Sequence, residues 1–171
     1  MSATMSDSLL PNDIVALAER VVAENKAAGR TIALAESCTG GLVAAALTEV
    51  AGSSAVFDRG FVTYSNDAKR ELLGVPETIL DAFGAVSVAT AWAMAQGALK
   101  HSHADIAVAI SGIAGPDGGS AQRPVGTVVF ARAIRDAESE DVDAEEQRLD
   151  GSSRAAVRHQ AALIALELLL P

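Results

Sequence analysis

Two rhythms of apolar and polar positions run along the chain. Over residues 11–28, Ile14, Leu17, Val21 and Val22 recur at helical spacing, and Gly29 follows as a C-cap. "TIALA" (31–35) reads as a continuous strand of buried type, and Gly40-Gly41 then open a helix of small residues extending through residue 50. "GFVTYS" (60–65) has the β-branched and aromatic character of a strand. "NDAKRELLGVP" reads as a short helix begun by Asn66 or Asp67 and stopped at Gly74 before Pro76. A longer helix spans about 88–100. "DIAVAI" (105–110), the most core-like strand, runs straight into "SGIAGPDGG". "GTVVFARAI" (126–134) and "EEQRLD" (145–150) form a strand pair around an exposed acidic turn, 136–143, and "SSRAAVRHQAALIALELLL" closes the chain as a helix capped by Ser152 or Ser153. Helices alternating with strands, with a hairpin at the end, predict an α/β fold: a three-layer α/β/α single domain with a mixed sheet. Residues 1–8 are expected as a flexible tail ahead of a domain over 9–171.

Composition narrows the function. With 171 residues and half of them hydrophobic, the chain suits one domain with an ordinary core. A formal charge of -9 without a basic cluster disfavours nucleic acid as a partner. The N-terminus "MSATMSDSLL" has neither the basic opening nor the apolar core of a secretion signal. The closing "ALIALELLL" contains Glu167 and falls far short of the roughly 20 residues of a spanning helix, so no membrane partner is expected. Cys38, the single cysteine, cannot form an intrachain disulfide. A cytoplasmic location follows as the expectation.

Candidate chemistry gathers where apolar strands meet glycine-rich loops. "ESCTGG" lacks the GxGxxG and GxxxxGK[ST] spacings of nucleotide loops, but it offers three nucleophiles, Ser37, Cys38 and Thr39. The same residues would also serve as a plain helix-capping turn. Cys38 is the better intrinsic nucleophile, although a lone cysteine is commonly a small buried hydrophobe. Histidine is a poor base here: His101 and His103 sit with Lys100 at a helix end, His159 lies within the last helix, and no spacing supports a metal site. Of the three lysines, Lys69 stands apart, in the first turn of a helix just after a strand that points it toward the first loop. Its alternative reading is a solvated lysine paired with an acid. The loop 111–119 offers unobstructed N–H groups to a phosphate or carbonyl oxygen, or is a glycine turn without a ligand. Two such loops at strand ends point to one shared cleft.

The segments "AESCTGGLVAAALTEVAGSSAVFDRGFVTYSNDAK", "GAVS", "SGIAGPDGGSAQRPVGTVVFA" and "GSSRAAVRHQAA" together resemble the CinA C-terminal domain family, the nicotinamide mononucleotide (NMN) deamidases. The resemblance covers residues 9–169, and the chain has no room for the pyrophosphatase-like domain of the larger members, so it resembles the stand-alone amidase. It implies hydrolysis of the NMN carboxamide to nicotinic acid mononucleotide and ammonia, without metal or cofactor. Ser37 matches the serine of ESCTGG and Lys69 the lysine of YSNxAK, with Tyr64 beside it; these three form the implied catalytic set. Glu36, Thr39, Gly40, Gly41, Asn66, Ser111, Gly112, Gly115, Gly118 and Gly119 form the implied substrate-binding set.

In the implied mechanism neutral Lys69 takes the Ser37 proton, Ser37 attacks the amide carbon, and N–H groups around residues 39–41 hold the oxyanion. In a variant scheme Lys69 activates water and Ser37 orients the amide. The loop 111–119 would hold the ribose phosphate or the pyridine. Because an ordinary lysine titrates near 10.4, the base role predicts a desolvated Lys69 beside Ser37, with Tyr64 an optional second partner, rather than one paired with Asp67 or Glu71. A homo-oligomer acting on a small-molecule nucleotide is expected. The competing class is a non-catalytic nucleotide-binding or competence-associated module, against which the intact Ser37, Tyr64 and Lys69 weigh.

Overall fold

The computed structural model describes residues 7–138 and 142–171. Five strands, β1 (Ile32–Glu36), β2 (Phe57–Val62), β3 (Ile106–Gly112), β4 (Thr127–Ile134) and β5 (Asp143–Arg148), form one sheet in the order β2-β1-β3-β4-β5. β2, β1 and β3 run parallel, whereas β4 and β5 are antiparallel to their neighbours. Six helices cover it: α1 (Asn12–Ala28), α2 (Leu42–Glu49), α3 (Asn66–Leu73), α4 (Glu77–Phe83), α5 (Val88–Lys100) and α6 (Arg154–Leu168). The expected three layers and mixed sheet are therefore present.

The apolar runs 32–35 and 106–110 are continuous because their strands are covered on both faces. Ile32, Leu34, Ile106, Val108, Ile110, Val128 and Phe130 pack toward α1, α2 and α6. Their neighbours Ala33, Ala35, Ala107, Ala109, Ala131 and Ala133 pack toward α3, α4 and α5. Small side chains on that face let α5 lie close to the sheet, and α5 answers with Ala91, Ala95 and Ala98. Gly97 is the tightest point: a Cβ there would run into the Leu73 carbonyl and lie 3.0 Å from the Leu73 Cβ. The C-terminal end of α3, at Leu73, is thereby seated against α5.

Several boundaries differ from the sequence reading. α4 was not anticipated, because seven residues hold less than two turns of periodicity and its first residue follows Pro76. β2 runs over Phe57–Val62 rather than 60–65: it is an edge strand exposing Asp58, Arg59 and Gly60, so its apolar pattern is weak. α3 is capped by Ser65, whose Oγ accepts from Ala68 N at 3.0 Å, one residue before the expected Asn66 or Asp67. α2 ends at Glu49, and Ser153 rather than Ser152 caps α6. β5 begins at Asp143, inside the expected acidic turn, whose residues 139–141 lie outside the described residues. Residues 1–6 of the expected tail also lie outside them.

Candidate active site

Parallel strands deliver their carboxyl ends to one edge of the sheet, and Ser37, Thr63 and Ser111 follow or end β1, β2 and β3 there. Ser37 N donates to Ile110 O at 2.9 Å and Thr63 N to Glu36 O at 2.8 Å, so the sheet pairing extends to the loops. The register places Ser37 beside Ser111 on the face toward α5. A cleft of about 280 Å³ opens there, walled by Ser37, Tyr64, Lys69, Ser111, the glycine loop and Arg154. That volume lies near the lower end of small-molecule sites, roughly 300 Å³.

Lys69 is 1% exposed although it is a lysine. Its Nζ lies 3.0 Å from Ser37 Oγ, 2.8 Å from Thr63 O and 3.4 Å from Tyr64 O. Among the described residues it forms no ion pair; Asp67 instead pairs with Arg70 at 2.8 Å. Burial with no carboxylate alongside pushes the Lys69 amine down to about 8. A neutral amine fits its surroundings: two N–H groups donate to the two carbonyls, and the lone pair faces the Ser37 hydroxyl. Cys38 behaves oppositely. It is 5% exposed, and burial pushes its thiol up to about 11, so near pH 7 it is neither a thiolate nucleophile nor a counter-charge for Lys69.

Other residues singled out in the sequence take varied places. Both Glu36 oxygens cap α2, accepting from Val43 N and Ala44 N at 3.0 Å each, so this buried carboxylate holds the helix rather than facing the cleft. Gly40 N donates to Ser37 O, removing it from the expected oxyanion donors; the N–H groups of Cys38, Thr39 and Gly41 have no acceptor among the described residues. The Thr39 hydroxyl is buried without a partner, and Thr39 lies outside the cleft wall, as do Gly40, Gly41 and exposed Asn66. The Tyr64 hydroxyl meets neither Ser37 nor Lys69 but accepts from Arg154 Nη2 at 3.0 Å. Ser111 Oγ donates to Ala85 O at 2.8 Å. Gly112 lets β3 approach β4, where a Cβ would lie 2.7 Å from Val128 Cγ2. Gly115, Gly118 and Gly119 line the cleft; Gly119, at φ +79°, has room for no side chain, since a Cβ would sit 2.9 Å from Val125 N.

Arg154 escaped the sequence reading. It is the first residue of α6, yet it reaches across the fold to the cleft mouth, donating to Gly115 O at 2.8 Å as well as to Tyr64. Its only local signal was membership of "GSSRAAVRHQAA". None of the three histidines lines the cleft, and among the described residues no three His, Cys, Asp or Glu side chains gather as metal ligands.

Fold and site define a three-layer α/β protein with a buried serine–lysine pair in a cleft at the carboxyl ends of its parallel strands. The chain belongs to the CinA C-terminal domain family, whose model matches residues 14–171. It is 54% identical over 154 residues to the nicotinamide-nucleotide amidohydrolase PncC of Enterobacter agglomerans, covering 90% of this chain and 92% of that one. It is 52% identical over 165 residues to the protein of the same name from Escherichia coli K12, covering 96% and 95%. Among solved structures, the competence/damage inducible protein CihA of Agrobacterium tumefaciens aligns with a TM-score of 0.90 at 52% identity, covering 95% of this chain and 96% of that one.

Proposed function

We propose that this protein is an NMN amidohydrolase, cleaving the carboxamide to nicotinic acid mononucleotide and ammonia by a serine–lysine mechanism. The observation that carries the reading is the 3.0 Å contact between Lys69 Nζ and Ser37 Oγ, made by a buried lysine without a carboxylate partner. One pH unit below its pKa of about 8, about a tenth of the amine is neutral at pH 7. In that form it takes the Ser37 proton as Oγ bonds to the amide carbon. The N–H of Cys38, which lines the cleft and has no acceptor among the described residues, would donate to the oxyanion. The Lys69 ammonium returns its proton to the leaving nitrogen, the C–N bond breaks and ammonia departs. Lys69 then takes a proton from the water that attacks the acyl ester and passes it to Ser37 Oγ as the ester bond breaks, and the acid released ionises to a carboxylate.

The rest of the cleft suits a nucleotide carrying an anion at one end and an amide at the other. Arg154 supplies a cation at the mouth of an otherwise acidic protein, and with the N–H groups of Gly118 and Gly119 it would hold the phosphate. Ser111 has its hydrogen committed to Ala85 O, so towards a ligand its oxygen can only accept, which matches an amide N–H and disfavours a product carboxylate. Among the described residues no helix is long and apolar enough to cross a membrane. Action in the cytoplasm, in pyridine-nucleotide salvage, fits the proposed substrate, and the open edge of β2, with Val62 49% exposed, supports assembly of copies. The test is ammonia release from NMN: wild type is active and Ser37→Ala, with an unchanged fold, loses several orders of magnitude. Activity of Ser37→Ala within about tenfold of wild type removes the nucleophile from the account.

A further inference from the structure

The glycine-rich loop that follows β3 climbs the cleft wall from floor to rim. Ser111, where it begins, is buried beside Ser37, whereas Asp117, Gly118 and Gly119 at its far end are exposed. Asp117 is the only carboxylate on that wall among the described residues. It accepts no hydrogen bond and forms no ion pair among them, although Arg154 stands on the same wall. Arg154 is committed instead to Gly115 O and to the Tyr64 hydroxyl. An aspartate in a turn ordinarily folds back onto its own backbone two residues on, and this one leaves both oxygens open to the cleft.

An ionised carboxylate can only accept hydrogen bonds, and that decides which part of a nucleotide it meets. It repels a phosphate, so beside Gly118 and Gly119 it weakens the hold on that group unless it gains something else from the ligand. The carboxamide and its ring belong at the floor, where Ser37 and Ser111 lie, below the exposed rim that carries Asp117. Between ring and phosphate comes a ribose. Its adjacent 2′ and 3′ hydroxyls are two donors that one carboxylate receives together, the chemistry by which acidic side chains hold ribose in dinucleotide-binding folds. We propose that Asp117 is a specificity-determining residue that accepts the ribose 2′ and 3′ hydroxyls, so that the cleft selects a ribonucleotide over its deoxy counterpart. The role rests on the reading of this cleft as an NMN site, which sets the amide end at Ser37.

The experiment compares wild type, Asp117→Asn and Asp117→Ala on NMN and on 2′,3′-dideoxy-NMN, which lacks both hydroxyls. Each protein is read twice: by kcat/KM for deamidation, and by the nucleotide concentration that halves the rate at which an alkyl fluorophosphonate phosphonylates Ser37, a measure of binding that needs no turnover. Hydrogen bonds to a charged acceptor should make wild type favour NMN about 10- to 100-fold in both readings. Asp117→Ala should lose that preference through a fall on NMN alone, carried mainly by KM, since the hydroxyls lie away from the reacting bond. The dideoxy analogue should do as well or slightly better, because an anion beside the phosphate has gone. Asp117→Asn, which keeps one acceptor oxygen, should fall between. An undiminished preference in Asp117→Ala overturns the proposal. So does an equal loss on both nucleotides, which would make Asp117 a partner of the ring cation or a prop for the loop. Phosphonylation without nucleotide should be equal in all three proteins; if it slows in Asp117→Ala, the isosteric Asp117→Asn decides, a reduced preference upholding the role and a full one overturning it. A wild type that binds NMN ahead of the analogue through Asp117 yet leaves its amide intact refutes the amidohydrolase reading and leaves the ribose contact standing.

Discussion

Replacing Lys69 by methionine removes a group that the fold holds against its own preference for charge. Ordinary lysine titrates at 10.5, and burial brings Lys69 to about 8. At about 1.4 kcal/mol per pH unit, that difference of about 2.5 units amounts to roughly 3 kcal/mol of destabilisation when the amine must be charged. The sign follows from proton binding: between pH 8 and 10.5 the unfolded chain holds a proton that the native state has released, so native stability rises with pH across this window. Below pH 8 the full cost is present, and above 10.5 it is gone. Relative to Lys69→Met, wild type should therefore gain about 2 kcal/mol between pH 7 and pH 9.5. Cys38, raised from 9.0 to about 11, lowers stability over part of the same range, but it is present in both proteins and cancels in the difference. Lost hydrogen bonds to Thr63 and Tyr64 shift the variant by a constant, so the slope of the difference is the quantity to read. Urea denaturation of both proteins at several pH values supplies it. A difference that stays flat within roughly 0.5 kcal/mol from pH 7 to 9.5 would show Lys69 titrating as an ordinary lysine and would refute the reasoning.

Cys38→Ala should keep most of the activity, because a thiol held near 11 is not the nucleophile; turnover abolished in this variant alone would identify the wrong neighbour as attacking group. Gly97→Ala should lower stability by more than the roughly 1 kcal/mol that alanine gains over glycine in a helix, since the added Cβ meets the backbone of Leu73; a raised melting temperature contradicts the packing of α3 on α5. The rate kcat/KM should climb about fivefold from pH 7 to 8 and level off by about pH 9, following deprotonation of Lys69, whereas a tenfold rise per unit up to pH 10 would mean an unperturbed base.

The sequence made the layered fold legible because β1 and β3 carry unbroken apolar runs, 32–35 and 106–110, and α1, α5 and α6 are long enough to show their period. It missed α4 and misplaced β2 because seven residues after a proline and a solvated edge strand carry little periodic signal. Lys69 stood apart among three lysines by its place after a strand and near a helix start, but that place suited a solvated lysine at least as well, and only the match to YSNxAK marked it as the base. Glu36 and Arg154 were not readable in the same way. A carboxylate beside a serine looks alike whether it caps a helix or meets a ligand, and only the packing of α6 brings residue 154 to Tyr64, 90 positions earlier.

The most direct measurement is mass spectrometry of the enzyme acid-quenched during turnover of NMN. The account predicts that the peptide bearing Ser37 carries the nicotinic acid mononucleotide acyl group as an ester, and that Ser37→Ala and Lys69→Met show none. Rapid turnover with no ester accumulating on Ser37, together with an active Ser37→Ala enzyme, would contradict it and leave Lys69 as the activator of water.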